Sequence, residues 1–219
     1  TERGEGILAI TTLQSVAGQW LAPRLGGFQL AHPRIAVRLE TSETVVDLGR
    51  GPFDLAIRAG AGDWPGLESL YLFASHLTPL CTPALREALG GLASPSDLLA
   101  APRVGLEEEW AAWFAQAGVG APGGGAPLPF TADLQTIEVA AALAGQGVAL
   151  GSPILFADEI ARGRLVQPFE VTWARPVGYW LAWPKGRRRV PKIAAFRDWL
   201  TAALAAAPAV ARFSVPPSP

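Results

Sequence analysis

A chain of 219 residues is long enough for one large domain or two small lobes, with room for a real hydrophobic core. Half of the residues are hydrophobic and 17% are charged, which excludes intrinsic disorder, and no apolar run approaches the roughly 18 residues that a membrane helix needs. The formal net charge of −1 lacks the basic excess of a module built to neutralise nucleic-acid phosphates.

The chain opens on Thr1-Glu2-Arg3-Gly4-Glu5-Gly6, polar and glycine-rich, without the charged start and apolar stretch of a signal peptide. Nothing there points to export, and a cytoplasmic location is expected. No methionine occurs at all, which suggests an excised domain or a processed product. Leu8-Ala9-Ile10 reads as a short strand. Trp20, Leu21, Leu25, Phe28 and Leu30 then follow with helical spacing up to His32-Pro33, with Pro23 early enough for a first turn. Residues 35–40 alternate as a second strand, 44–50 read as a short helix, and 53–58 form a third strand. This is a βαβαβ unit with short connections. Residues 67–73 and 76–81 read as two extended segments, the second holding the single cysteine, Cys81, as a buried filler rather than a nucleophile. One cysteine permits no internal disulfide and suits a reducing compartment.

Ser94-Pro95 marks a helix start, with a capping hydroxyl and a proline at the first helical position. Glu107-Glu108-Glu109 ahead of Trp110, Trp113 and Phe114 suits a helix N-terminus. Gly118 to Pro129 reads as a flexible loop. Asp133 can cap a helix running to Gly145, residues 147–151 form a buried strand, and 154–161 are helical. Residues 165–166 and 179–183 are strands, and 190–207 form a last amphipathic helix with Ile193, Phe196, Trp199, Leu200 and Leu204 on one stripe. The dense basic run Lys185-Gly186-Arg187-Arg188-Arg189 reads as a solvated loop. The alternation argues for α/β layers on a largely parallel sheet. If the last strand and helix return to the first lobe, the chain crosses twice and a cleft lies at the carboxyl ends of the strands.

Several segments resemble the effector-binding domain of LysR-type transcription regulators. They are Trp20-Leu21-Ala22-Pro23-Arg24-Leu25 with Phe28 and His32-Pro33, residues 53–60, residues 140–150 ending in Gly145-Gln146-Gly147-Val148-Ala149-Leu150, residues 163–169 and residues 195–200. Together they cover roughly residues 6 to 206. Trp64-Pro65-Gly66-Leu67 and Gly178-Tyr179-Trp180-Leu181 look like the subgroup containing the glycine-cleavage activator and the β-lactamase-inducing regulator. The resemblance implies an α/β fold of the periplasmic-binding-protein type (type II), with two lobes around a ligand cleft and two crossover segments. Residues 6–75 with 177–207 would make lobe I and 76–176 lobe II. Residues 1–5 would be a linker remnant and 208–219 a disordered tail. It also implies a homodimer, with Phe28 and Leu30 on its surface or in the core, and a DNA-binding domain that is not in this chain and through which alone promoter DNA is reached.

Sensing a small polar or anionic effector requires hydroxyls and free amide groups at the cleft edge. Thr12 and Ser15 fit, with Ser15 placed by the resemblance on the effector, although either can simply cap a helix. Thr41 or Ser42 can supply a hydroxyl or a local cap. Asp133 and Gln135 stand at the second-lobe helix, where the β-lactamase regulator has serines beside the acid. The resemblance places Tyr179 in the cleft, and a core tyrosine is the alternative. Arg58 can pair with an anionic ligand or with Asp54. No metal, no cofactor and no catalysis are expected, since His32 and His76 lie in no nucleophile or zinc context. A free-standing solute-binding protein of the same fold is the other reading.

Overall fold

The central apolar run becomes β1 (Gly6–Thr12), buried from Leu8 to Thr12 because it is flanked on both sides. It pairs in parallel with β2 (Ile35–Thr41) and with β3 (Leu55–Gly60), and Thr12 stands opposite both Thr41 and Ile57. The structure is a computed structural model and describes residues 6–44, 47–120, 132 and 134–213. Between β1 and β2 lie a π-helical turn (Val16–Leu21), a 3-10 turn (Ala22–Arg24) and α1 (Leu25–Ala31). Pro23 explains why this is not the single helix expected: without an N–H it cannot continue the ladder begun before it.

The rest of the chain follows as β4 (Leu67–Leu80), α2 (Pro83–Ala88), β5 (Arg103–Val104), α3 (Glu107–Gln116) and α4 (Gln135–Leu143). Then come β6 (Val148–Gly151), α5 (Ala157–Ala161), β7 (Trp173–Pro184), α6 (Pro191–Ala205) and α7 (Pro208–Arg212). Leu67–Leu80 is thus one long strand and not two segments. Residues 165–166 make only an isolated bridge, Val166 to Cys81. Between Val45–Val46, which lie outside the described residues, and Gly51 the expected helix is replaced by turns. The Asp47 carboxylate accepts the amides of Gly49 at 2.8 Å and Arg50 at 3.3 Å, offering the backbone a local alternative to helix. The tail expected to be disordered begins with α7, whose Val210 is buried and lines an apolar concavity with Leu70, Leu72 and Leu204.

The chain divides into two compact units, one made of residues up to Ser75 and from Pro176 on, the other of His76–Arg175. It passes between them twice, within β4 and within β7. In the first unit β3 pairs antiparallel with β7, so the sheet is mixed. Phe28 is fully buried, edge-on to Phe196 and Trp199 at 5.4 and 5.3 Å, which ties α1 to α6. That burial removes Phe28 from any subunit surface, whereas Leu30 is 88% exposed. At the loop after β3, a Cβ on Gly62 (φ 87°) would lie 2.5 Å from the Trp180 ring, so only glycine suits that turn.

In the second unit β6 pairs antiparallel with β4 and parallel with β5. Its core is an aromatic block of Trp110, Trp113 and Phe114 packed on Leu77, Cys81, Leu98, Val148 and Leu150. Arg103 is 4% exposed, lies over the Trp110 and Phe114 rings, and donates to the carbonyls of Leu98 and Leu99. His76 Nδ1 is 3.0 Å from the Thr172 hydroxyl, and burial holds its pKa below the ordinary histidine value. The folded protein therefore resists a proton that the unfolded chain accepts below about pH 6.5. The contribution is absent above that pH and grows as a destabilisation as pH falls toward the folded pKa. His76→Gln is expected to lose less thermal stability than the wild type between pH 7.5 and pH 5. Equal losses in the two proteins would refute it.

Candidate functional site

The carboxyl ends of β1 and β2 meet in the first unit at Thr12 and Thr41, and Thr12 also stands opposite Ile57 of β3, which runs three residues further to Gly60. Open α/β sheets bind ligands at such edges. Arg58, near the end of β3, is 4% exposed. Its guanidinium donates through Nη2 to Thr11 Oγ1 at 2.7 Å and to the Thr44 carbonyl at 3.2 Å, and through Nη1 to the Ile57 carbonyl at 2.9 Å. Its Nε is buried without a partner among the described residues. Burial lowers the Arg58 pKa, and the nearby Glu43 carboxylate partly offsets that. The side chain stays a cation at any ordinary pH. Arg58 does not pair with Asp54, which accepts the Ala9 amide at 2.9 Å and holds Lys192 at 2.6 Å.

Thr12 is fully buried, and its hydroxyl has no partner among the described residues. A buried hydroxyl left unpaired costs on the order of 1–3 kcal/mol, so its persistence asks for a reason. The Thr12 carbonyl accepts the Ser42 amide at 3.0 Å, and Glu43 Oε1 accepts the Gln14 amide at 3.2 Å, which clip the β2 exit loop onto the β1 exit loop. Ser15 is half-buried, sits in the helical region (φ −63°, ψ −42°), and makes no side-chain cap. The capping role that competed with binding is therefore not taken up at Ser15. Ser42 is occupied locally, its hydroxyl 2.9 Å from that of Thr44 and accepting the Thr44 amide at 3.2 Å. Thr41 is exposed at the strand end. Tyr179 stands opposite Ala59 on β7, is 3% exposed, and stacks on Phe73 at 4.7 Å and 30°.

The second unit holds Gln135 at the first position of α4. Its side-chain carbonyl accepts the Ser152 amide at 3.1 Å, so it braces the turn after β6. Ser152 is 1% exposed and in turn accepts the Leu155 amide. The adjacent Thr136 hydroxyl is buried without a partner among the described residues. Asp133 lies outside the described residues.

Thr12, Ser15, Ser42 and Arg58 thus gather in the first unit around one sheet edge, with Thr41 at its rim. Gln135 belongs to the second unit. Sequence reasoning missed Thr11, Thr44, Thr136 and Ser152. Thr11 and Thr44 carry one signal, the hydroxyl-rich exits of β1 and β2. Among the described residues no group of three or more His, Cys, Asp or Glu side chains is placed to hold a metal ion, and no helix is long and apolar enough to cross a membrane.

Comparison with known proteins gives a consistent result. The family model for the LysR substrate binding domain matches residues 1–205. The transcriptional activator AmpR of Rhodobacter capsulatus is 38% identical over 198 residues, covering 89% of this chain and 66% of that protein. The glycine cleavage system transcriptional activator of Escherichia coli K12 is 33% identical over 204 residues, covering 92% of this chain and 66% of its own. Among solved structures, the effector domain of AmpR from Pseudomonas aeruginosa superposes with a TM-score of 0.76 at 35% identity, over 91% of this chain and 96% of that one. The AmpR effector binding domain of Citrobacter freundii gives 0.76 at 28%, over 92% and 99%. The chain spans about two thirds of the length of these curated relatives.

Proposed function

The chain belongs to the LysR substrate binding domain family, the ligand-sensing part of LysR-type transcription regulators, and from that premise we propose that its first-unit sheet edge holds a small polar or anionic effector through Thr12, Ser15 and Arg58. The observation that carries this is the buried Thr12 hydroxyl there, which has no partner among the described residues. That hydroxyl is a donor that a bound oxyanion or carbonyl would satisfy, and Arg58, which bonds Thr11 on the other face of the strand, sets a fixed positive charge at the same edge. Thr41 and Ser42 at the rim add adaptable hydroxyls, and Tyr179 gives the β7 side of the unit a rigid aromatic. Gln135, with Asp133 outside the described residues, is kept as a separate candidate for recognition at the strand exit of the second unit itself.

The role is sensing and not catalysis. Burial pushes the Cys81 thiol up to about 11, which leaves it protonated, and His76 is engaged with Thr172. Histidine 32 packs against Phe28 at 4.9 Å. No nucleophile and base are paired among the described residues. The whole regulator is proposed to act in the cytoplasm as a homodimer, reaching promoter DNA through a domain outside this chain. The ligand would shift its equilibrium by no more than its differential affinity for the two states.

The test is a thermal-shift screen of amino acids, small carboxylates and short muropeptides, followed by titration of Thr12→Val. A ligand at about a hundred times its Kd should raise Tm by about 5–10 °C. Valine replaces threonine with nearly the same shape and removes the unpaired hydroxyl. The variant should be slightly more stable without ligand and bind it at least tenfold more weakly. Wild-type affinity in Thr12→Val would sink this assignment.

A further inference from the structure

The basic run that reads as a solvated loop is an ordered structure. After β7, the Lys185 amide donates to the Gly66 carbonyl at 3.0 Å and the Gly186 amide to Glu68 Oε1 at 3.0 Å. The Arg187 amide closes a turn on Pro184 at 3.1 Å, and the Val190 amide a second on Arg187 at 3.0 Å. Arg197, from the second turn of α6, donates to the Arg188 carbonyl at 3.3 Å and pairs with Asp198 at 2.7 Å. The backbone is thus pinned at several points, while residues 185–189 are all exposed. Among the described residues, Lys185, Arg187, Arg188 and Arg189 form no ion pair. Two acids that bond this region have other duties: Glu68 holds the Gly186 amide and Asp198 holds Arg197.

Two further features point the same way. Arg188, Arg189, Ala194 and Arg197 line a concavity of about 390 Å³ between the loop and the helix. The fifteen-residue α6 begins there with no side-chain cap and no acid in its own first turn, and the acid that reaches that turn, Asp54, is taken by Lys192 at 2.6 Å. In a chain of net charge −1, four unpaired cations in five residues beside such a helix end make a local positive field opposed to the overall balance.

We infer that the 185–189 loop, with the concavity it forms against the start of α6, is a docking surface for the sugar-phosphate backbone of duplex DNA. Three of the four free cations are arginines, whose planar forks suit phosphate oxygens and whose charge does not titrate away. The ordered backbone means little entropy is lost when they engage. This rests on the proposed function in one respect: a regulator already held on DNA would present the duplex at high effective concentration, so a weak backbone contact becomes consequential. The contact is sequence-independent and adds to positioning, not to operator choice.

The test is fluorescence anisotropy of this chain with a labelled duplex of about 20 base pairs, from 20 to 150 mM salt. Wild type should bind weakly at low salt, with a log–log salt slope of about −2 to −3 for roughly three phosphates neutralised. The triple variant Arg187→Ala, Arg188→Ala, Arg189→Ala should bind at least tenfold more weakly with a slope near zero, and Arg162→Ala in the second unit should behave as wild type. The mutated side chains have no partners among the described residues, so the triple variant should melt as wild type does, and Arg188→Glu alone should weaken binding in the same direction. Absence of binding at 20 mM salt, equal binding by the triple variant, or competition by polyglutamate as strong as by unlabelled duplex would each overturn the assignment, the last by pointing to an acidic protein surface. The effector screen repeated on the triple variant keeps the two readings apart: retained ligand response with lost DNA binding supports this surface alone. DNA binding without any ligand response leaves this surface standing and removes only the effector assignment.

Discussion

Arg58→Met is expected to lower stability by about 2–3 kcal/mol and to weaken effector binding at least tenfold. Methionine fills much of the same space and carries no donor. Thr11 Oγ1 and the Ile57 carbonyl then lose their guanidinium partner in a buried setting, and the carbonyl of the exposed Thr44 loses it toward water, at roughly 1–3 kcal/mol for each buried group left unsatisfied. Release of a buried cation from its desolvation penalty offsets part of this, which keeps the total below the simple sum. For a domain of this size the change corresponds to a fall in Tm of about 4–12 °C. The informative comparison is Arg58→Lys. Lysine retains the charge but cannot bond Thr11, Thr44 and Ile57 together, and should recover part of the binding while leaving most of the stability loss. If Arg58→Met melts early but titrates the effector with wild-type Kd, Arg58 only braces the strand exits and takes no part in recognition.

Trp113→Ala is expected to have the largest effect on folding, about 4–5 kcal/mol, and to act through the second unit. The indole is fully buried, with the rings of Phe114, Phe169 and Trp110 at 5.4, 6.0 and 6.1 Å, and Nε1 donates to the Val171 carbonyl at 3.2 Å. Truncation leaves a cavity, which costs about 3–5 kcal/mol for an aromatic, and strands one carbonyl for about 1 kcal/mol more. Tm should drop by about 10–15 °C. Trp113→Phe separates the terms: most of the packing survives, the hydrogen bond goes, and about 1–2 kcal/mol should be lost. Hydrogen exchange should quicken most in α3 and β6, within the second unit's core. A uniform change across both units, or a Tm shift under 3 °C, would contradict the role given to this ring.

Much of the architecture follows from local pattern. The apolar cores of β1, β3 and β6 are short runs bounded by polar or glycine residues, and the stripe of Ile193, Phe196, Leu200 and Leu204 on α6 is the buried face at helical spacing. Local propensity also explains the failures. The segment from Val16 to Ala31 has helical periodicity throughout, yet Pro23 splits it, because a missing donor outweighs a favourable hydrophobic spacing. Around Asp47 a side chain that bonds its own backbone wins over a helix only a turn or two long.

What the linear chain determines about this protein is its class of layers, the order of its elements, and the hydroxyls and the arginine at the strand exits, since each depends on neighbours a few residues away. The tertiary structure decides which of those groups are spent and which are left over. Asp54 and Arg58 look like partners by spacing, but four residues of extended strand separate them by about 13 Å, and a lysine 138 positions away claims the aspartate instead. Thr11 and Thr12 are equally buried neighbours, yet alternation along the strand sends one hydroxyl to Arg58 and leaves the other without a partner. Hydrogen-bond satisfaction is a three-dimensional property: it depends on which distant groups the fold brings within about 3 Å.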